Sequence, residues 1–265
     1  MKDQALSIAA GSADPALKMN LLREYVQAMV LRSLHESEAW DSIAFVGGTC
    51  LRFVHELARF SEDLNFTLID STSYQPVEWM RKIKRDLVLA GFDCSVRWND
   101  RKTVHTGWIR IAGLMHEAGL TPHTDQNLSI KVEVNTRPPT GARTVTKIIS
   151  KHLTFVCRFF DPPSLMAGKL HALLTRPYPK GRDWYDFIWY RTTRPPIEPN
   201  PDLLQSALDQ TQGADTVNAN NWSNLVLERL DDLDIDTLVQ DVSPFLERPR
   251  DAGLLFKGNL RSICE

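Results

Sequence analysis

Two segments of the chain carry polar residues at spacings suited to phosphate and metal chemistry, and the first spans residues 45–66. Gly47 and Gly48 follow an apolar stretch. Glycines let backbone N–H groups approach phosphate oxygens, and the start of a helix adds partial positive charge. Asp63 and Asn65 are two residues apart, so in a strand they point to the same face and can share one cation. This segment therefore predicts a site for a polyphosphate and a divalent cation.

The residues around the glycine pair make it a more specific signal for a phosphate site. A pair of glycines between a strand and a helix is a weak signal by itself, because it also makes an ordinary tight turn. Here Thr49 stands directly behind the pair, and Asp63 follows Gly48 by fifteen residues. Ser61 can also reach a phosphate, although a serine ahead of an acid is common.

Glu133 is a third candidate metal ligand, on a strand that can neighbour the one carrying Asp63 and Asn65. Phosphoryl and nucleotidyl transfer use Mg²⁺ to hold phosphate oxygens, and Mg²⁺ prefers oxygen ligands. Asn65 offers a neutral amide oxygen, so we expect weaker metal binding or one ion in place of two. The alternatives are that Asp63 is an exposed strand residue or a cap, and that Glu133 is an ordinary strand residue.

The second polar segment spans residues 164–190. Lys169 lies on an amphipathic helix, where a single lysine usually faces solvent. Lys180 and Arg182 stand beside Asp183 and Asp186, and these two acids share a helix face at a spacing of i, i+3. Spacing alone favours a structural salt network for these residues.

The elements that must position these residues divide the chain into two parts. Up to about residue 160, apolar periodicity predicts a small mixed sheet with helices packed on it. We expect a loose lead-in over residues 1–17, a helix over 18–38, a strand, glycine loop and short helix over 43–58, and a helix over 76–90. Further strands are expected around residues 64–68, 93–98, 107–112, 128–134 and 153–159.

From residue 161 the pattern is helical nearly to the end, starting at Asp161-Pro162-Pro163-Ser164. Helices are expected over residues 165–174, 182–190, 202–210, 221–233 and 236–246. We therefore predict an α/β domain over residues 1–160 and a helical domain over residues 161–265.

The charge of the chain is distributed unevenly. Residues 131–194 hold twelve Lys or Arg against four Asp or Glu, whereas residues 195–265 hold five against thirteen. A basic middle suits an anionic substrate, although the two regions can simply neutralise each other. The four cysteines are scattered, and neither a membrane-spanning run nor a secretory leader is recognisable, which favours a cytoplasmic protein.

Several enzyme classes are disfavoured by missing motifs. The sequence has no GxSxG, HExxH or GxxxxGK[ST] pattern. Serine hydrolases, zinc proteases and P-loop enzymes usually carry these signatures.

Three stretches taken together resemble the AbiEii/AbiGii nucleotidyltransferase toxin family, including its MenT-like members, over about residues 40–192. They read GGTCLRFVHELARFSEDLNF, KVEVNTR and SLMAGKLHALLTRPYPKGRDWYDFIWY. The resemblance implies a bilobed protein with a nucleotidyltransferase-like N-terminal α/β lobe and a helical C-terminal lobe.

The resemblance also assigns roles to individual residues. Gly47, Gly48 and Thr49 match the phosphate loop, and Asp63 matches the first metal-binding acid. Lys169 matches the lysine that contacts the nucleotide phosphates. Asp183 and Asp186 match the acids of the RDxxD motif, as a base or a structural anchor, and Arg182 of the same motif is a candidate for nucleotide binding.

Members of this family act as toxins in toxin–antitoxin and phage-defence operons. The resemblance thus implies a nucleoside triphosphate substrate, Mg²⁺, an RNA acceptor such as the 3′ end of tRNA, and a separate antitoxin that is often a winged-helix regulator. The family usually has Asp-x-Asp where this chain has Asp63-x-Asn65. This departure leaves three readings: an active transferase, a nucleotide-binding or antitoxin-binding protein with a weakened site, and a kinase-like phosphotransferase.

Overall fold

A computed structural model describes residues 1–264, which form eleven α-helices and the seven strands of one mixed sheet. The helices are α1 Lys2–Ala10, α2 Pro15–His35, α3 Gly47–Val54, α4 Pro76–Leu89, α5 Leu114–Glu117, α6 Pro162–Thr175, α7 Gly181–Thr192, α8 Pro201–Gln212, α9 Trp222–Asp231, α10 Ile235–Val242 and α11 Lys257–Ser262. The strands are β1 Ile43–Val46, β2 Leu64–Leu68, β3 Asp93–Asn99, β4 Val104–Ala112, β5 Leu128–Asn135, β6 Thr144–Ile149 and β7 Phe155–Phe160.

The strands form one seven-stranded sheet in the order β3-β4-β5-β2-β1-β7-β6. Strand β2 runs parallel to β5 and β1 runs parallel to β7, while the β1–β2, β3–β4 and β4–β5 pairs are antiparallel. This arrangement confirms the predicted mixed α/β class. The predicted alternation of β5 is also confirmed, since its apolar side chains are buried while the polar ones between them are only partly covered.

The prediction of a loose lead-in over residues 1–17 is wrong. Helix α1 packs on α2 and buries Ala5 and Ala9 completely. Asp14 then starts α2 by accepting hydrogen bonds from the backbone N–H groups of Ala16 and Leu17, with Pro15 at the first helical position. An acid followed by proline is a recognisable helix start, so the sequence contained this signal.

The helices predicted after residue 161 are present, each within a few residues of its expected bounds. Asp161 begins α6 by accepting a hydrogen bond from the N–H of Ser164. Asn200 does the same for α8 through the N–H of Leu203. Strand β6 and the short helix α5 were not predicted.

Contacts between residues divide the chain into two compact units, which we describe separately. Unit 1 comprises residues 1–56, 60–137 and 146–159. Unit 2 comprises residues 57–59, 138–145 and 160–265. Among residues 1–264, every helix is too short or too polar to cross a lipid bilayer.

Candidate functional site

In unit 1, the glycine pair forms the start of a helix. Strand β1 ends at Val46, and α3 begins at Gly47 without an intervening loop, which corrects the predicted glycine loop. Gly47 makes this turn in one step because its φ is +79°, a region that other residues adopt only with strain. Val46 has no side-chain oxygen with which to cap the helix, so the first backbone N–H groups of α3 can donate hydrogen bonds to an anion.

Asn65 lies against this helix start. An ideal Cβ built on Gly47 would be 3.4 Å from Cβ and Nδ2 of Asn65, so glycine also leaves room for the amide. The sequence placed Asp63 and Asn65 together on a strand, but β2 begins at Leu64 and Asp63 directly precedes it. Asp63 and Asn65 are both partly buried.

Thr49 anchors the segment that carries Asp63. Its side chain is fully buried, and its hydroxyl donates to the backbone carbonyl oxygen of Asp63 at 2.5 Å. The hydroxyl is therefore used in positioning Asp63, and the contribution of Thr49 to an anion site would come from its backbone N–H.

Gln27 on α2 holds the two preceding carbonyl groups, a role that the sequence did not reveal. Its Nε2 donates to the carbonyl oxygens of Ser61 at 3.0 Å and Glu62 at 2.8 Å. Gln27 is 1% exposed, so this clamp is shielded from water. Three successive carbonyls, at residues 61–63, are thus bound by buried side chains, which fixes the approach to β2. A polar residue at a buried position of α2 was the only available signal.

Replacing Gln27 with methionine should lower the free energy of unfolding by about 1–3 kcal/mol, because two partly buried carbonyl groups lose the buried amide that donates to them. The measurement is urea unfolding of wild type and Gln27→Met. Gln75→Met is the matched control, because Gln75 is exposed and makes no side-chain cap of α4, so its effect should stay within about 0.5 kcal/mol. Equal stability of wild type and Gln27→Met would show that the clamp is dispensable.

Glu133 stands beside Asn65 in the sheet. Strands β2 and β5 pair in parallel, and their register sets Asn65 opposite Glu133. The carboxylate of Glu133 is 2.6 Å from the ammonium of Lys131, two residues earlier on the same strand. Across residues 1–264, His, Cys, Asp and Glu side chains form no group of three placed to hold a metal ion. The predicted ligands, two carboxylates and one amide, supply only oxygen, which is the donor type that suits Mg²⁺.

In unit 2, the acids of the second segment surround Lys169. Its Nζ is 2.7 Å from Oδ1 of Asp183 and 2.7 Å from Oδ2 of Asp186. Lys169 is 12% exposed, whereas a solvent-facing lysine would be far more accessible. Spacing predicted that Asp183 and Asp186 pair with Lys180 and Arg182. This prediction is wrong, because both acids pair with Lys169.

Two arginines complete the network. Arg59 donates from Nε and Nη2 to both oxygens of Asp186, at 2.5 and 2.6 Å, and Arg176 binds Asp183. Asp186 is fully buried and Arg59 is 2% exposed, so this pair is shielded from solvent.

Three cations and two carboxylates give the network an excess of positive charge. Burial alone would raise the pKa of Asp183, but Lys169 and Arg176 outweigh burial and hold it below its usual value. Burial alone would lower the pKa of Arg59, yet Asp186 raises it. Both groups therefore remain ionised. Lys169 donates two of its three ammonium protons to the carboxylates, and the third can be donated to a further acceptor.

Arg182 and Gly181 have other partners at the start of α7. The Nε of Arg182 is 3.9 Å from Oδ2 of Asp241, and its guanidinium lies 4.3 Å from the ring centre of Phe245. A Cβ on Gly181 would come within 1.9 Å of the carbonyl oxygen of Leu238, so only glycine allows this packing. Arg182 thus packs against a neighbouring helix.

Comparisons with known proteins show the family through a sequence model and the fold through two solved structures. A sequence model described as "Nucleotidyl transferase AbiEii toxin, Type IV TA system" matches residues 30–254. The crystal structure of JHP933 from Helicobacter pylori is similar, with a TM-score of 0.53, 16% identity, and coverage of 92% of this chain and 90% of that one. A second H. pylori structure, described as a candidate nucleotidyltransferase, gives a TM-score of 0.57, 16% identity, and coverage of 96% and 94%. No curated protein matched the chain.

Proposed function

Because this chain belongs to the AbiEii family of nucleotidyltransferase toxins of type IV toxin–antitoxin systems, we propose that it transfers a nucleoside monophosphate to RNA. The donor is a nucleoside triphosphate, and the acceptor is the 3′ end of a tRNA. The 3′ oxygen forms a bond to the α-phosphorus, the bond from that phosphorus to the β-phosphate breaks, and pyrophosphate leaves. The hydroxyl proton passes to solvent water.

The observation that carries this proposal is the meeting of an uncapped helix start with oxygen donors in unit 1. The first N–H groups of α3 would bind phosphate oxygens, since no side chain caps them. Asp63, Asn65 and Glu133 would hold Mg²⁺, which when bound offsets phosphate charge and orients the reacting groups. The clamp of Gln27 and Thr49 would keep Asp63 in place during turnover.

In unit 2, Lys169 would bind a phosphate group through its remaining ammonium proton. Asp183 and Asp186 would orient that ammonium, since both are ion-paired and buried. Asp186 is an unsuitable base, because both of its oxygens are occupied by Arg59. We therefore assign the two acids of the RDxxD motif to positioning Lys169.

A transfer assay tests the proposal. The protein is incubated with Mg²⁺, total tRNA and each ribonucleoside triphosphate labelled at the α-phosphate, and the RNA is then resolved on a gel. We expect label at the RNA 3′ end with at least one nucleotide. Label that reaches RNA or protein only from the γ-phosphate would identify a phosphotransferase and overturn the proposal.

Asn65 supports one alternative, a protein that binds the nucleotide with little or no turnover. An amide provides less negative field for a cation than a carboxylate does. Titration calorimetry with each nucleotide distinguishes the two cases. Tight binding without transfer would favour the alternative, whereas measurable turnover would exclude it.

The family assignment also implies a protein partner. We propose that a cognate antitoxin, a winged-helix regulator encoded alongside, opposes this toxin in the cytoplasm, where tRNA is available, and that the pair acts in phage defence. Coexpression from the native operon tests the pairing, because growth arrest by this chain alone should be relieved by its neighbour.

A further inference from the structure

One face of strands β3, β4 and β5 is polar and open, although the other face is packed with apolar side chains. On the packed face, Ile109 and Ile130 are fully buried, and α4 and α2 contact β3 and β5. The open face is formed by the residues that alternate with the buried ones. Its members are Asp93, Ser95, Arg97, Asn99, Val104, Thr106, Trp108, Arg110, Ala112, Ser129, Lys131, Glu133 and Asn135.

The register of the sheet aligns three of these residues in a row across the strands. Arg97 pairs with Trp108, and Trp108 pairs with Lys131. Trp108 is 38% exposed, which is unusual for so large a side chain, and the Nζ of Lys131 lies 6.0 Å from its ring centre. An aromatic ring is therefore displayed between two cations.

The neighbouring row carries the candidate metal ligands. Thr106 pairs with Glu133, and Glu133 pairs with Asn65. Residues two apart in a strand are separated by about 7 Å, so the ring of Trp108 belongs to the row next to the ligands. The open face of β3, β4 and β5 thus begins at the proposed cation site and extends from it across unit 1.

The composition of this face favours a nucleic acid over a protein partner. Its basic residues are Arg97, Arg110 and Lys131 and its acids are Asp93 and Glu133. Among its members, only Trp108 and Val104 are large and apolar, at 38% and 41% exposed. Within residues 1–264, the exposed guanidiniums of Arg97 and Arg110 have no salt-bridge partner. Protein interfaces usually centre on a larger apolar core, whereas single-stranded nucleic acids bind where an aromatic side chain stacks a base beside cations that follow the backbone.

We propose that the open face binds the single-stranded 3′ end of the RNA acceptor. Trp108 stacks on a base near the end of the strand, and Arg97 and Arg110 contact its phosphates. This inference rests on the proposed function for the identity of the acceptor. The binding surface itself is assigned by the sheet register, the exposure of Trp108 and the unpaired cations.

Fluorescence anisotropy of a short 5′-labelled single-stranded oligoribonucleotide, titrated with protein in the absence of nucleoside triphosphate, tests the surface. Trp108→Ala should weaken binding about 5- to 100-fold, because one stacked base is lost. Trp108→Phe should retain most of the affinity. Arg97→Ala and Arg110→Ala should each reduce the slope of log affinity against log salt by about 0.7.

Two surface variants are matched controls. Phe256→Ala removes an aromatic side chain that is 61% exposed in unit 2. Arg85→Ala removes an exposed cation from α4, which packs on the opposite face of the sheet. Both should leave RNA affinity unchanged. Far-ultraviolet circular dichroism of every variant checks that the fold is retained.

The outcomes separate the surface from the proposed function. If Trp108→Ala binds RNA as wild type does, or loses affinity only for the antitoxin, the surface assignment is overturned even when wild type transfers nucleotides. If wild type transfers no nucleotide but RNA binding still requires Trp108, the surface assignment is supported and the proposed function fails.

Discussion

Replacing Arg59 with methionine is expected to lower the free energy of unfolding by about 3–5 kcal/mol, because a buried carboxylate would lose its main partner. Arg59 donates two hydrogen bonds to Asp186, and the two side chains are 2% and 0% exposed. Methionine fills similar space but donates nothing, so within residues 1–264 Asp186 would keep only Lys169 as an ion-pair partner. Guanidinium chloride unfolding followed by circular dichroism measures the loss.

Two further variants test that the loss comes from an unpaired buried charge. Arg59→Met combined with Asp186→Leu should recover most of the stability, since an apolar pair of similar volume replaces the ion pair. Arg81→Met removes a salt bridge to Glu78 whose side chains are 70% and 60% exposed, so it should cost about 1 kcal/mol or less. A small effect of Arg59→Met alone would contradict the argument.

The elements of the sheet could be predicted from the sequence where burial alternates clearly. The apolar residues of β5 recur at every second position and face the helices, so periodicity was enough to locate this strand. Strand β6 was missed although its sequence, TVTKII, is rich in β-branched residues. It lies at the edge of the sheet with several exposed side chains, so the alternation that marks a half-buried strand is absent.

The candidate site was predictable in its local parts and unpredictable in its long-range ones. The positions of Gly47 after a strand and of Asp63 close to Asn65 could be predicted, because both follow from chain connectivity and side-chain alternation. One partner of Asp186 is Arg59, which is 127 residues away in the sequence. The clamp of Gln27 on Ser61 likewise spans 34 residues. No local pattern encodes such pairings, since they depend on how distant elements pack.

The same limit explains why spacing gave the wrong salt network. Arg182 is one residue from Asp183, but adjacent residues on a helix do not face each other. Lys169 reaches both acids because α6 and α7 pack together. The resemblance to the family predicts a phosphate contact for Lys169, and the structure shows that Asp183 and Asp186 are its ion-pair partners.

Exchanging carboxylate and amide at the start of β2 should change nucleotidyl transfer in opposite directions. Asp63→Asn should lower the rate about 10²- to 10³-fold, because a charged metal ligand worth several kcal/mol in the transition state is lost. The fold should be retained, since Thr49 binds the backbone carbonyl of residue 63 and the new side chain is isosteric. Transfer of α-labelled nucleotide to RNA under single-turnover conditions measures the change.

Asn65→Asp restores the acid that the family usually has, and it should raise transfer about tenfold at limiting Mg²⁺. Without the cation it should be less stable than wild type by roughly 0.2–1 kcal/mol, because residue 65 lies directly opposite Glu133 and like charges on paired strand positions repel. Added Mg²⁺ should therefore raise the melting temperature of Asn65→Asp more than that of wild type. Identical responses of the two proteins to Mg²⁺ would show that residue 65 does not face the cation, and the proposed ligand set would have to be abandoned.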